Sequence, residues 1–207
     1  MELRDALAQI SEIRLRMARC EVFSGYRSLT VGFSGVLGVL TAVLQSWWVA
    51  SPENSLGRYL GLWTSVAAAS LIVAGTELFW RAWRTGPGLA RHMTLLAVGQ
   101  FLPCIVVGGL VTLCIYGGAP RGGWMLPGLW SLFFGLGIFA SCRLVPGHFF
   151  WVGCYFVGCG CGCLVWGQGV NAFSPWQMGI SFGGGQLLSA VILYWTLERA
   201  NVTQKTN

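Results

Sequence analysis

Long apolar runs broken by short polar punctuation dominate the chain, and their lengths match one another. Six stretches, roughly 29–49, 59–80, 93–117, 124–142, 148–169 and 176–197, are each about 20 residues long and almost free of charge. About 20 apolar residues at 1.5 Å rise each cross a ~30 Å hydrocarbon core as a helix. Backbone groups in lipid must satisfy one another within the segment, so helices are expected even where glycine is dense. Gly86-Pro87-Gly88, Gly117-Gly118-Ala119-Pro120 and Pro146-Gly147 mark connections between runs. The pattern predicts an all-α polytopic membrane protein with six transmembrane helices (28–198), a polar tail over 199–207, and a different kind of segment over 1–27.

That first segment has helical periodicity without the composition of a span. Leu3, Leu7, Ile10, Ile13 and Met17 recur at spacings of three and four. Glu2, Asp5, Glu12, Arg16 and Arg19 fall mostly on other faces, and Glu12 with Arg16 forms a supportive i,i+4 pair. This is an amphipathic helix, lying on the membrane surface or docked against a partner or a second copy through its apolar stripe. It lacks the short basic start of a cleavable signal peptide.

Composition narrows the class further. Hydrophobic residues make up 55% of the 207 and charged residues 10%, against about 25% charged in soluble domains. The net charge of +6 does not imply nucleic acid, because the basic residues sit at the ends of apolar runs. Arg4, Arg14, Arg16, Arg19, Arg27, Arg81, Arg84, Arg91, Arg143, Arg199 and Lys205 share one side of a six-span layout, and Arg58 and Arg121 the other. By the positive-inside rule both termini are expected in the cytoplasm, and a bacterial inner membrane is the expected location. The tryptophans cluster near run ends, where amphipathic rings favour the interface; Trp47, Trp48, Trp63, Trp124, Trp166 and Trp176 belong to one expected belt.

Candidate chemistry is sparse. Most of the eight cysteines lie inside apolar runs, where a reduced thiol behaves as a small hydrophobe. The run from His148 to Gly169 alternates glycine and cysteine through its middle and is expected to be the central packing element, with Gly158 and Gly162 in a close helix crossing. Cys159 and Cys163 lie one turn apart and could offer two thiolates to a soft metal, whereas Cys161 points away from them. His92 and His148, at similar depth, are the pair available for haem ligation. Glu77 is the one acid within a span, and Arg81 four residues on is a candidate interfacial partner. Gln100 and Gln186 are polar groups deep in the membrane, suited to interhelical hydrogen bonds or to a solute. Gly99-Gln100-Phe101-Leu102 faintly echoes Gly185-Gln186-Leu187-Leu188, as inverted repeats do in some transporters.

No phosphate-binding loop, catalytic triad or zinc spacing is present, and no cofactor is expected. The reading that follows is a non-enzymatic membrane subunit or scaffold that acts by association with lipid and other subunits. A small-solute transporter or channel built on the fifth and sixth spans with Gln100 and Gln186 is the alternative. A haem- or metal-binding redox protein is the second alternative.

Overall fold

A computed structural model describes residues 28–49, 55–84, 89–142 and 148–195, with the side chains of 81–94 and of Ala97 outside that description. All regular structure among the described residues is helical. The long helices are α1 (Ser28–Trp48), α2 (Leu56–Arg84), α3 (Leu89–Gly118), α4 (Leu126–Ser141) and α5 (Phe149–Trp166). A sixth, α6, is composite: an α-turn Pro175–Met178, a π-helical stretch Gly179–Gly184 and an α-segment Gly185–Leu193. A 3₁₀ turn over Pro120–Met125 leads into α4, and another over Gly169–Asn171 follows α5. Five segments are long and apolar enough to cross a membrane as single helices: α1, α2, α3, the 120–141 stretch ending in α4, and α5. The sixth expected span is the composite helix, in which three consecutive glycines coincide with the change of helical register. The chain is thus an all-α polytopic membrane protein. The expected N-terminal amphipathic helix, with Leu3, Leu7, Ile10, Ile13 and Met17, lies outside the described residues.

The helices neighbour one another in the order α2, α1, α6, α5, α4, α3, so that the first and last helices of the chain pack together. Small residues make that packing close. A Cβ on Gly35 would lie 2.9 Å from the Leu187 backbone nitrogen, and one on Gly38 would lie 3.3 Å from the Gly183 Cα. Backbones therefore touch where α1 crosses α6, as small residues permit in membranes. Gly183, Gly184 and Gly185 each serve a different contact. They meet Val39 of α1, the Tyr155 hydroxyl and the Phe156 ring respectively. The Tyr155 hydroxyl also donates to the Ile180 carbonyl at 2.7 Å, a backbone acceptor within the π-helical stretch. The glycine triplet is a packed crossing.

A second extensive crossing joins α4 to α5. Gly128 and Gly135 on α4 stand opposite Gly160 and Gly153 on α5. A Cβ on Gly160 would come within 2.9 Å of the Gly128 carbonyl oxygen, and one on Gly135 within 3.2 Å of the Gly153 carbonyl oxygen. Between these two close approaches Ser131 donates to the Phe156 carbonyl at 2.8 Å. The expectation that Gly158 and Gly162 form the crossing needs correction. Gly158 has open space around its Cβ position, and Gly162 meets only Trp166 of its own helix. The helical phase places 153, 156 and 160 toward α4, which turns 158 and 162 away from it.

Aromatic rings join α3 through α6 at the centre. Phe134 lies 4.9 Å from Phe101, 4.7 Å from Phe156 and 5.6 Å from Phe182, centroid to centroid. The largest apolar core sits at the distal end of the bundle, where α1 finishes. It unites Ala42, Val49, Leu56, Tyr59, Leu60, Trp63, Leu126, Phe173 and Met178. At the proximal end a smaller core of Val31, Ala190 and Leu193, with Phe149 against it, involves α1, α5 and α6. No described side chain of α2 or α3 contributes to it. Of the expected belt, Trp47, Trp48, Trp166 and Trp176 are exposed. Trp63 does not belong to it, being 3% exposed and turned into the core.

Candidate functional site

Two features of this architecture can carry function: a buried polar layer at the distal end, and the open faces of α2 and α3.

The polar layer begins with Gln45, a residue unremarkable in sequence because it closes an apolar run beside Ser46 and Trp47. It is 1% exposed. Its Nε2 donates to the Phe173 carbonyl at 2.9 Å, and its Oε1 accepts from Trp63 Nε1 at 2.8 Å. One amide therefore ties α1 to α2 and to the loop between α5 and α6. Phe173 has φ of +60°, a conformation that costs a non-glycine residue free energy and persists only where surroundings enforce it. The Gln45 bond to its carbonyl and the edge-on packing of its ring against Tyr59, 5.0 Å away, supply that enforcement. Gln177 continues the layer, its Nε2 donating to the Asn171 carbonyl at 2.7 Å. Cys163 approaches the Gln177 carbonyl at 3.8 Å. Two buried side-chain atoms here, the Tyr59 hydroxyl and Gln177 Oε1, make no hydrogen bond to described residues. The layer locks the distal ends of α1, α2, α5 and α6 together.

The residues singled out from the sequence are not assembled into one place. Glu77, half-buried, accepts a hydrogen bond from the Thr30 hydroxyl of α1; Arg81's side chain lies outside the described residues. Gln186 is half-buried on α6, whereas Gln100 is exposed on α3. Gly99, the echo of Gly185, has nothing near it, while Gly185 is wedged against Phe156. His148 is exposed just before α5, and the side chain of His92 lies outside the described residues. Cys159 and Cys163 are free, half-buried thiols, and Cys161 is exposed. Among the described residues no group of three or more His, Cys, Asp or Glu side chains could hold a metal. Two shallow crevices open on the surface among the described residues. One lies beside Leu44, Trp47 and Trp48; the other lies between α1 and α6, next to Leu29, Leu187 and Tyr194. Neither is lined by Gln100 or Gln186.

The second feature concerns burial. In their most apolar windows α1 and the 120–141 segment bury 33% and 39% of residues, while α2 and α3 bury 6% each. Helix α2 buries Leu56, Tyr59, Leu60 and Trp63 at the distal end, and none of its described side chains beyond Trp63 is buried. On α3 only Gly108 and Thr112 are buried among the described side chains. The two helices touch at the distal end, where the Tyr116 hydroxyl reaches Gly57. Their remaining faces are largely apolar, suited to contact with a bilayer, and interrupted by glycines and a few polar side chains such as Thr76 and Gln100. Gly61, Gly75, Gly99 and Gly109 have no atom within 4 Å of their Cβ positions. Hydropathy alone does not distinguish a helix face turned to neighbours from one turned to lipid, which is why sequence reasoning missed this asymmetry.

No family model, curated protein or solved structure matches the chain.

Proposed function

We propose that this chain is a non-enzymatic membrane subunit that acts by association, and that the open face of α2 and α3 is its principal docking surface. The observation that carries the reading is the 6% burial of both helices beside well-packed neighbours, together with the exposed glycines on them. Lipid tails gain nothing from a glycine, whereas a neighbouring helix uses one to bring its backbone close. The N-terminal amphipathic stripe would add a second point of attachment. The eleven-to-two division of basic residues supports cytoplasmic termini, and the compact connections support a bacterial inner membrane.

The test exploits the open space around the glycines. A Cβ added at Gly99 or Gly109 meets no described atom within 4 Å, so lipid would accept larger side chains in Gly99→Leu with Gly109→Leu and the helix would form at least as well. A closely packed partner would be pushed away. Purification in mild detergent is expected to recover partners with the wild-type chain, and to lose them from the double variant without lowering its thermal midpoint. An identical set of partners on both proteins would overturn the reading. Removing residues 2–22 measures the N-terminal contribution separately.

A further inference from the structure

Gln100 is the polar group least compatible with a lipid-covered α3. It lies nine residues beyond Arg91, which at 1.5 Å per residue is ~13 Å from the charged boundary and near the midplane of a ~30 Å core. Its side chain is exposed and makes no hydrogen bond to any described residue. A backbone group beside it has lost its usual helical partner. Pro103 lies inside α3 and has no N–H, so the Gly99 carbonyl four residues earlier lacks its ordinary helical donor. Gly99 is also exposed, with nothing near it. An amide and a carbonyl without its i+4 donor thus sit next to each other in apolar surroundings, where unsatisfied polar groups are costly.

Their position on the helix shows which way they face. Phe101 and Thr112 point to α4, through the Phe134 ring and the Trp130 indole. At about 100° per residue, Tyr116, which reaches α2, lies about 60° to one side of Phe101, and Gln100 lies about 100° to the other. Gln100 therefore faces away from both neighbouring helices. It lies in a seam of Leu96, Gln100, Pro103, Val107, Leu110 and Cys114, all exposed, spaced four, three, four, three, four. That is the 3.5-residue period of two helices wound about each other, in which one polar core position fixes register and oligomeric state.

We infer that this seam seats a second copy of the chain, paired about a two-fold axis along the membrane normal. Deepening the association reading, the inference rests on it and names the occupant of one part of that face. Two copies inserted in the same sense bring Gln100 to the same depth. A carboxamide is both donor and acceptor, so each Gln100 can donate to its counterpart's amide oxygen or to its Gly99 carbonyl and receive the same in return. A two-fold interface presents the same patch from both sides, which this arrangement satisfies without any further polar residue. A different helix would need its own polar group at that depth, and a lipid tail has none.

The experiment is energy transfer between donor- and acceptor-tagged copies of the full chain in phosphatidylcholine vesicles, across a series of lipid dilutions. Transfer above random proximity is expected for wild type. For Gln100→Leu the half-dissociation point should move to a protein-to-lipid ratio about 3–30-fold higher, the range for loss of interhelical hydrogen bonding. The thermal midpoint of the monomer should not fall, because Gln100 is exposed and hydrogen-bonds to no described residue. Absence of transfer in wild type, or a half-point unmoved by Gln100→Leu, would overturn the inference. If copies ignore one another while photo-reactive groups on α2 or α3 capture a different protein, the second copy is wrong and the association reading stands. If both experiments are blank, both fail.

Discussion

Gly160→Leu is expected to unravel the α4–α5 crossing, while Gly158→Leu, half a turn away, is expected to be tolerated. A Cβ at position 160 would already stand 2.8 Å from Leu132 Cγ and 2.9 Å from the Gly128 carbonyl oxygen. The side chain could rotate away, but the backbone carbonyl cannot move without displacing α4. Because Gly128 and Gly160 face each other, relief of one contact tightens nothing useful elsewhere, and the helices must separate. Overpacking typically costs about 1–3 kcal/mol, and a backbone collision belongs at the top of that range. At position 158 the added side chain enters open space, with a small gain in helix propensity. Thermal unfolding of both variants in one detergent checks the pair. Equal midpoints would mean that this crossing is not built on Gly160.

The second large effect is expected at Gln45. Replacement by leucine keeps a similar volume and removes both hydrogen bonds, leaving Trp63 Nε1 and the Phe173 carbonyl buried without partners. Each orphaned buried group costs roughly 1–3 kcal/mol, so the expected loss for the two is about 2–6 kcal/mol. The loss should be concentrated at the distal end, because Gln45 is what anchors the Phe173 loop. Trp63→Phe removes one of the two bonds and should give about half the effect. Hydrogen exchange around residues 167–175 provides the local readout, and thermal unfolding the global one. A Gln45→Leu variant as stable as wild type would show that the amide is not the clasp described.

Particular residues show what the sequence revealed and what it concealed. The six apolar runs were legible because bilayer thickness fixes their length, whatever the packing. The choice between Gly158/Gly162 and Gly153/Gly160 was not, since all four lie in one glycine-rich helix and only its rotation selects among them. A cue did exist: Gly128 and Gly135 on α4 share a seven-residue spacing with Gly153 and Gly160 on α5, as two antiparallel helices in register require. Gln45 escaped notice because it sits among apolar residues at a run end, where a polar side chain ordinarily reaches for water. For the same reason the sequence places Trp63 at the interface, and its indole instead turns inward to that amide. Gln100 was recognised as a deep polar group, but whether it faced a neighbouring helix or the outside depends on the arrangement of the helices.

The central claim is that protein, and not lipid alone, covers α2 and α3 in the membrane. Photo-cross-linking answers this directly. A benzophenone side chain replaces Ile72 on α2 or Val106 on α3, exposed by 65% and 50%, and irradiation is carried out in native membranes before any detergent is added. Discrete protein adducts at both positions are the result expected, with a matched probe at Leu40 on α1 giving chiefly lipid adducts. Lipid adducts alone at positions 72 and 106 would contradict the account.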